Sequence, residues 1–443
     1  MKVNVVCKKI DEKGRGIVFI NKKPVVVDHL LKDEEAMIEI TNKKVNLLSI
    51  EKPSPYRQKP PCIYYYKCGG CQLQHINDIG QQTFKQEKVQ NELGKYSEIQ
   101  PILSMKEPYF YRNKSHFTFQ RNKQRKIVAG MYEENSHKIV NVDQCIIQDD
   151  VTNKINQTIK NMLPSFKIEP YNEDTKTGFL RHVLIRVGYN TREVMVVLVT
   201  SSIIFPSKKN FIKTLLKSHP EITTIVLNVN NKKTSMILGS KQQTLYGKGF
   251  IEDELNKFRF KISPSSFYQI NPLQTEILYK KAIEMAQVNN EDVVLDAYCG
   301  TGTIGIFASQ YAKSIIGVEL NKHALNDAIM NAKNNNITNI TFVQGDASDV
   351  MTHYANERKR IDVVILDPPR SGTTEKFISA VATLKPKKVV YVSCEVKTLA
   401  RDLEGFVKKG YEVKSIQPVD MFAQTFHVES IILMTYCGSG GEK

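Results

Sequence analysis

From about residue 265 onward, hydrophobic positions fall into short apolar runs separated by longer segments of helical character. The runs lie at 292–296, 314–319, 340–344, 361–367 and 388–393. Strands that alternate with helices are typical of βαβ units and of parallel sheets. The pattern therefore predicts an α/β domain with a mixed, mostly parallel, Rossmann-like sheet and helices on both faces.

The chain before residue 265 shows a different pattern. Residues 16–20 and 24–28 are rich in β-branched side chains and are bounded by turn residues, which predicts a small β unit. Four prolines between positions 53 and 61 mark a boundary after it. Further elements are expected as a polar helix at 78–95 and strands at 182–187 and 193–199. We expect three domains, at 1–55, 56–264 and 265–443, and a disordered tail at 438–443.

Composition narrows the class of protein. The 443 residues include 62 Lys and Arg against 46 Asp and Glu, and the resulting charge of +16 favours a polyanionic partner. A generally basic protein from an organism with lysine-rich usage would show the same excess, so charge alone leaves the partner open. The sequence contains neither a long apolar run nor a signal peptide, which predicts a cytoplasmic protein without a membrane span.

The first strand of the predicted sheet leads into a glycine-rich loop. Gly300, Gly302 and Gly305 form a G-x-G-x-x-G pattern between a strand and a helix, which lets the backbone approach a ligand closely. Glu319 ends the next strand, where a carboxylate can bind both hydroxyls of a ribose. The pattern fits a dinucleotide, S-adenosylmethionine (SAM), or a tight turn without a ligand.

Acidic strand ends favour SAM among these ligands. The carboxyl ends of the strands carry Asp296, Glu319, Asp346 and Asp367, and ligands of such folds bind at these ends. SAM has a sulfonium and an ammonium group but no phosphate, so carboxylates suit it better than they suit a dinucleotide. We therefore expect a SAM-binding domain rather than a nicotinamide-binding one.

Three further motifs converge on the same edge if the sheet is doubly wound. They are Asp367-Pro-Pro-Arg370, Ser393-Cys394-Glu395 and His427-Val-Glu429. A thiolate that adds to C6 of uracil activates C5 towards a methyl group, and a base must then remove the C5 proton. Cys394, Glu429 and Asp367 could act as the nucleophile, the base and the group that holds the base ring. A buried structural cysteine, or a Glu429 paired with His427 or a lysine, is the alternative.

Four of the eight cysteines have the spacing of metal ligands. Cys62, Cys68 and Cys71 lie close together, and Cys145 lies further along the chain. Four thiolates suit zinc or an iron–sulfur cluster. Three close ligands and a distant one favour [4Fe-4S], because zinc sites commonly show two short cysteine pairs. His75 in place of Cys145, or thiols without a metal, are the alternatives.

Together these motifs resemble the RNA 5-methyluridine methyltransferases, which methylate C5 of uracil in rRNA and tRNA with SAM. The resemblance covers nearly the whole chain, and residues 1–55 look like the small β-barrel RNA-binding domain called TRAM. Besides the cysteines, the matching blocks are Tyr111-Arg-Asn-Lys114, Phe267-Tyr-Gln-Ile-Asn271, Asp296-Ala-Tyr-Cys-Gly-Thr-Gly302, Asp367-Pro-Pro-Arg-Ser-Gly372, Ser393-Cys394 with Leu399-Ala-Arg-Asp402, and His427-Val-Glu429.

The resemblance implies roles for single residues. Cys394 resembles the nucleophile, Glu429 the base for the C5 proton, and Asp367 a contact of both the pyrimidine and the cofactor. The implied SAM contacts are Gln269, Tyr298, Thr303, Glu319, Asp346 and Asp367, with Glu319 on the ribose and Asp346 on the adenine side. The implied ligands of a [4Fe-4S] cluster in the central domain are Cys62, Cys68, Cys71 and Cys145.

The sequence departs from the family beside the nucleophile. Glu395-Val396 replaces the usual Asn-Pro, and Met421-Phe-Ala423 replaces Met-Phe-Pro. The carboxylate of Glu395 is expected to raise the pKa of the neighbouring thiol.

The tRNA enzyme of the family lacks TRAM and the cluster, so the resemblance implies 23S rRNA as the substrate of a cytoplasmic monomer. The target uridine would flip out of a stem-loop, and basic residues of the first two domains would contact phosphates. Tyr64, Tyr65 and Tyr66 could stack on bases or pack around the cysteine loop. The alternatives are the same chemistry on tRNA, a nicotinamide oxidoreductase with an iron–sulfur relay, and a non-catalytic RNA-binding assembly factor.

Overall fold

A computed structural model describes residues 1–42, 44–134, 136–234 and 236–438. Within these ranges the chain forms nine helices and 22 strands, and the strands form five sheets. No helix in the described ranges has both the length and the apolar character needed to cross a membrane. Of the predicted disordered tail, the part from 439 onward lies outside the described residues.

The predicted N-terminal β unit is confirmed and contains six strands. They are β1 (Lys2–Val6), β2 (Lys9–Ile10), β3 (Gly16–Ile20), β4 (Lys23–Val27), β5 (Glu35–Ile40) and β6 (Val45–Lys52). β1, β5 and β6 form one antiparallel sheet, and β2, β3 and β4 form a second. Both sheets cover one small core in which Val18, Leu30 and Ile38 are fully buried.

The middle of the chain forms a seven-stranded sheet. The elements are α1 (Asp78–Leu93), β7 (Lys114–Arg121), β8 (Ile127–Tyr132), β9 (Ile139–Asn141), α2 (Asp150–Ser165), β10 (Leu180–Val187), β11 (Val194–Thr200), α3 (Lys208–Ser218), β12 (Ile222–Val229) and β13 (Lys241–Tyr246). The sheet order is β13-β12-β11-β10-β7-β8-β9, with β11 and β12 parallel and the other pairs antiparallel. The predicted helix and both predicted strands are thus confirmed as α1, β10 and β11.

The C-terminal part forms the second seven-stranded sheet. The elements are β14 (Ile251–Leu255), β15 (Phe258–Ile262), α4 (Pro272–Ala286), β16 (Val293–Ala297), α5 (Thr303–Ala308), β17 (Ser314–Glu319), α6 (Lys322–Asn334), β18 (Ile340–Gln344), α7 (Ala347–Asn356), β19 (Val363–Leu366), α8 (Glu375–Leu384), β20 (Lys388–Ser393), α9 (Val396–Lys408), β21 (Tyr411–Val419) and β22 (Glu429–Tyr436). β14 and β15 form a separate two-stranded sheet, and the order of the seven-stranded sheet is β18-β17-β16-β19-β20-β22-β21. β16 to β20 are parallel, and β22 is antiparallel to both of its neighbours. The predicted Rossmann-like sheet is confirmed.

Both faces of this sheet are buried, which explains its continuous apolar strands. Val364 and Leu366 pack with α7, α8 and α9 on one face. Val363 and Ile365 pack with α4 and α5 on the other face.

The three parts of the chain share buried faces. Val89 and Leu93 of α1 belong to the same apolar cluster as α9 and β21, so α1 packs on the C-terminal sheet. The central sheet buries Val183 and Ile185 against α2 and α3, and its opposite face, with Leu184 and Val197, packs against the C-terminal part.

Candidate active site

The strands β20 and β22 bring together two residues that lie far apart in the sequence. Ser393 at the end of β20 pairs with Ser430 of β22. Because the strands are antiparallel, Cys394 and Glu429 occupy facing positions just beyond this pair. Asp367 directly follows β19, the other neighbour of β20. The three predicted catalytic residues therefore lie at the same edge of the sheet.

Two buried carboxyl groups interact at this edge. Glu429 is only 3% exposed, and its Oε2 atom has no hydrogen-bond partner among the residues that the structure describes. Burial raises the pKa of Glu429 well above its usual range, and the neighbouring Asp367 raises it further. Burial also raises the pKa of Asp367 to about 7. Since like charges in a low-dielectric site disfavour each other, the carboxyl pair retains a proton near neutral pH.

The Cys394 thiol is strongly influenced by these charges. Burial raises its pKa to about 11, with a further contribution from Glu429 and a smaller one from Asp367. The guanidinium of Arg370 acts in the opposite direction, through its charge and a hydrogen bond to the thiol.

Glu395, which was expected to raise the thiol pKa, has a different main contact. Its carboxylate accepts a hydrogen bond from the Lys397 N–H at 3.5 Å and caps α9. The carboxylate that chiefly raises the pKa of Cys394 is that of Glu429.

Arg370 and His427 form the outer part of the cysteine site, and the sequence assigned neither a role. Arg370 Nη2 lies 3.3 Å from His427 Nε2. Burial and the positive charge of Arg370 lower the pKa of His427 to about 4, so the imidazole is neutral at physiological pH. His427 therefore contacts Arg370 rather than Glu429, which remains without a partner at Oε2. The Asp-Pro-Pro-Arg motif contained the signal for Arg370, because two prolines fix where the arginine follows the strand.

The glycine-rich loop joins β16 to α5 as predicted. Gly300 and Gly302 have φ of +57° and +80°, a region that favours glycine. Gly305 donates its N–H to Asp296 Oδ2 at 2.8 Å, and burial raises the pKa of Asp296 to about 8. Glu319 accepts a hydrogen bond from the Gly300 N–H at 3.0 Å, so the carboxylate that ends β17 is fixed against the loop.

A buried tyrosine that the sequence analysis missed connects two predicted cofactor residues. The Tyr279 hydroxyl lies 3.2 Å from Thr303 Oγ1 and also forms a hydrogen bond with the Gln269 side chain. Burial raises the pKa of Tyr279, and the charges of Asp367 and Asp296 raise it further. A tyrosine within a helix carries no sequence signal for such a position.

Tyr298 and Asp346 lie on the other side of the loop. Tyr298 has a φ of +63°, and its hydroxyl lies 2.9 Å from Thr373 Oγ1. Asp346 is exposed and caps α7 by accepting the N–H of Ser348 at 2.8 Å. Burial raises the pKa of Tyr298, and the charge of Asp346 raises it further.

The four predicted cluster cysteines all carry free thiols. The pKa of Cys71 is raised mainly by burial and then by Cys145, Cys68 and Cys62, which shows that the sulfurs are close in space. In the described ranges, no three His, Cys, Asp or Glu side chains are arranged to hold a single metal ion.

Hydrogen bonds fix the chain at Cys145 and at Tyr65, which lies between Cys62 and Cys68. Cys145 is fixed by Asn153 of α2, which bonds to both its N–H and its carbonyl. Of the neighbouring tyrosines, Tyr65 is buried and bonds to His75, whereas Tyr66 is 64% exposed.

The segment 420–428, which we call the base loop because it leads to Glu429, is held by α1. Lys85 is fully buried and donates to Asp420 Oδ1 at 2.6 Å and to the Phe422 carbonyl at 3.1 Å. One turn later, Lys88 donates to the Phe426 carbonyl at 3.0 Å.

The base loop also bonds directly to the segment 62–75, the cysteine loop, which contains Cys62, Cys68 and Cys71. The carbonyl of Gln424 accepts the N–H groups of Gln72 and Leu73, both at 3.0 Å. The Gln81 side-chain amide donates to Gln424 Oε1, and the Gln424 backbone N–H donates to Gln81 Oε1, both at 3.1 Å. The cysteine loop, α1 and the strand that carries Glu429 therefore form one connected unit.

The sheet order and the glycine loop with its acidic strand ends define a Rossmann-like methyltransferase. The sequence profile described as tRNA (uracil-5-)-methyltransferase matches residues 79–436, and the chain belongs to this family. It is thus a SAM-dependent RNA methyltransferase by family.

Relatives of similar length show the same relationship. An uncharacterized RNA methyltransferase of Clostridium tetani is 41% identical over 435 residues, covering 96% of this chain and 94% of the relative. One from Staphylococcus aureus is 40% identical over 434 residues, 96% of each protein. The crystal structure of the Pyrococcus abyssi tRNA (uracil-54, C5)-methyltransferase in complex with S-adenosyl-L-homocysteine has a TM-score of 0.80 and 28% identity. The alignment of the two structures covers 98% of this chain and 99% of the Pyrococcus abyssi chain.

Proposed function

We propose that this protein transfers the methyl group of SAM to C5 of a uridine in 23S rRNA and produces 5-methyluridine. The facing positions of Cys394 and Glu429 beside Asp367 are the observation that carries the proposal. Methylation of C5 needs a nucleophile for C6 and a base for the C5 proton, and a thiol and a carboxylate are suited to these tasks.

Cys394 is the proposed nucleophile. Its thiol loses a proton and its sulfur bonds to C6 of the flipped uracil, which makes C5 nucleophilic. The pKa of about 11 keeps the resting thiol protonated, and the positive charge of Arg370 is the neighbouring influence that favours the thiolate. SAM, when bound, supplies the methyl group that C5 takes up.

Glu429 is the proposed base. Its ionised carboxylate removes the C5 proton, after which the bond between C6 and the Cys394 sulfur breaks and the thiolate is released. Glu429 becomes a base when the carboxyl pair loses the proton it holds at rest. A cation bound next to Asp367 favours this loss, because it lowers the pKa of both carboxyl groups.

The glycine loop and its surroundings are the proposed SAM site. Glu319 would accept bonds from the ribose hydroxyls, and its bond to the Gly300 N–H already orients its carboxylate. Asp346 would bind on the adenine side, and Asp367 would contact both the cofactor and the pyrimidine. The remaining proposed contacts are Gln269, Tyr298 and Thr303.

We propose a structural [4Fe-4S] cluster on Cys62, Cys68, Cys71 and Cys145. Four free thiols support it, and the charges of Cys145, Cys68 and Cys62 add to the effect of burial in raising the pKa of Cys71. The ligands of such a cluster bind different iron atoms, so each of the four thiolates would hold one iron. Iron and sulfide in equal amounts in anaerobically purified protein would support this, and stoichiometric zinc would refute it.

RNA binding is assigned to the two N-terminal domains. We propose that residues 1–55 are a TRAM domain and 56–264 a cluster-containing domain, and that both contact the phosphates of RNA outside the catalytic domain, 265–443. The net charge of +16 supports a polyanionic substrate. The reaction is proposed to take place in the cytoplasm, by a monomer.

Transfer RNA is the second candidate substrate. The Pyrococcus abyssi enzyme acts on uracil 54 of tRNA, as its name states, and yet it aligns with 98% of this chain. The presence of an N-terminal unit therefore does not by itself select rRNA.

The test measures release of tritium from C5 of uridine, in the presence of SAM, with unmodified 23S rRNA and tRNA transcripts in parallel. Release from 23S rRNA that is lost in Cys394→Ala supports the proposal, whereas release from tRNA alone transfers it to the second candidate. Cys437→Ala is the matched control, because this exposed thiol lies beyond the end of β22. RNA binding without release from either substrate would refute the catalytic proposal and favour an assembly factor.

A further inference from the structure

Phe110 combines two features that are unfavourable for a phenylalanine. Its φ is +52°, a left-handed conformation that favours glycine, and its side chain is 46% exposed to solvent. A glycine or an asparagine would adopt this backbone with less strain and expose less apolar surface. Strained residues of this kind occur preferentially where a protein binds a ligand.

Well-ordered contacts on both sides hold the Phe110 backbone in place. The Phe110 N–H donates to the Ile146 carbonyl at 2.9 Å. The next residue, Tyr111, is buried and donates its hydroxyl to the Ala423 carbonyl in the base loop at 2.9 Å. The ring therefore projects from a rigid segment, and its position does not depend on a flexible loop.

The segment that contains Phe110 lies beside the candidate active site. Tyr111 bonds to Ala423, four residues before His427 in the base loop, and His427 lies 3.3 Å from Arg370. Asn113 then donates its side-chain amide to the Gln269 carbonyl at 3.1 Å. Phe110 therefore belongs to a segment that bonds to Ile146, next to Cys145, on one side and to the base loop on the other.

We infer that Phe110 is a stacking platform for an unpaired nucleobase that neighbours the uridine in the active site. The inference rests on the proposed function, in which a single-stranded segment of RNA enters the site. Every nucleobase presents a flat π-face, and an exposed aromatic ring held rigidly beside a nucleic-acid path is the group that binds such a face. The neighbouring Arg112 carries a guanidinium group, which suits an adjacent phosphate.

The test separates binding from stability. Phe110→Gly and Phe110→Asn remove the ring but accept the left-handed backbone, so the melting temperature should stay equal or rise. Affinity for oligouridylate should fall about 5-fold to 100-fold, the range that stacking of one base on an aromatic ring supports. Phe110→Tyr and Phe110→Trp should retain the wild-type affinity.

Two controls distinguish stacking from other causes. The slope of log affinity against log salt should match that of the wild type, because no charge is removed. Gln287→Gly relieves the same backbone conformation at the end of α4 and should leave RNA affinity unchanged. An abasic chain of the same length should bind equally to wild type and Phe110→Gly.

The inference is overturned if Phe110→Gly and Phe110→Asn both bind oligouridylate as tightly as the wild type does. A loss of affinity that is accompanied by a lower melting temperature in both variants also overturns it, because the ring would then be a structural element. RNA binding is measured in this test without turnover. If the wild-type protein releases no tritium, that result refutes the proposed function, and the binding data still decide the stacking inference.

Discussion

The buried ion pair between Lys85 and Asp420 provides the sharpest prediction. Replacing Lys85 by methionine keeps the side-chain volume but leaves the Asp420 carboxylate in the interior without its partner at 2.6 Å. Removing one member of a buried pair destabilises a protein by about 3–5 kcal/mol. The carbonyl of Phe422 also loses a hydrogen bond, which is worth about 1 kcal/mol. We therefore expect Lys85→Met to lower the free energy of unfolding by about 4 kcal/mol.

The assay is urea unfolding, combined with hydrogen exchange of the amides in the base loop. Lys88→Met is the matched control, because Lys88 lies on the same helix and also donates to a base-loop carbonyl, but has no ion-pair partner in the described residues. Lys88→Met should lower the free energy of unfolding by about 1 kcal/mol. In Lys85→Met, base-loop amides should exchange faster and tritium release should slow, because the loop leads to Glu429.

A double variant tests the reasoning itself. Adding Asp420→Leu to Lys85→Met removes the unpaired charge, so the double variant should be at least about 2 kcal/mol more stable than Lys85→Met alone. The reasoning is wrong if Lys85→Met costs no more than Lys88→Met. It is equally wrong if the double variant is as unstable as the two single variants added together.

Two further predictions concern the carboxyl groups. Glu429→Gln should accumulate a methylated protein–RNA adduct that survives a denaturing gel, since Cys394 can attack but the C5 proton remains; no adduct would exclude Glu429 as the base. SAM should bind more tightly as pH rises from 6 to 8, because Asp367 and Asp296, with pKa values of about 7 and 8, must ionise beside a cation. S-adenosylhomocysteine, which lacks the sulfonium charge, should show a weaker pH dependence in calorimetry, and equal pH dependence would contradict the reasoning.

The sequence was a sufficient guide where the structure is local. Strands at 314–319, 340–344 and 388–393 have the predicted bounds, because a run of apolar residues between polar ends has few other ways to bury itself. The glycine loop was equally readable, since Gly300 and Gly302 adopt a backbone conformation that favours glycine.

Contacts between distant segments could not be read in this way. The position of α1 depends on a lysine and an aspartate that lie 335 residues apart, and neither residue type by itself indicates burial. Tyr279 was missed for the same reason. The expected influence of Glu395 on the thiol followed from adjacency in sequence, whereas the carboxylate caps α9 and Glu429 is the group that raises the pKa.

The position of β22 within the sheet affects how an incomplete chain behaves. β22 lies between β20 and β21, and it carries Glu429 at its first position. A chain that stops before this strand therefore loses Glu429, the proposed base, and the pairing partner of the Cys394 strand together. One strand pair therefore orders both residues, and loss of β22 removes the support of Cys394 as well as Glu429 itself.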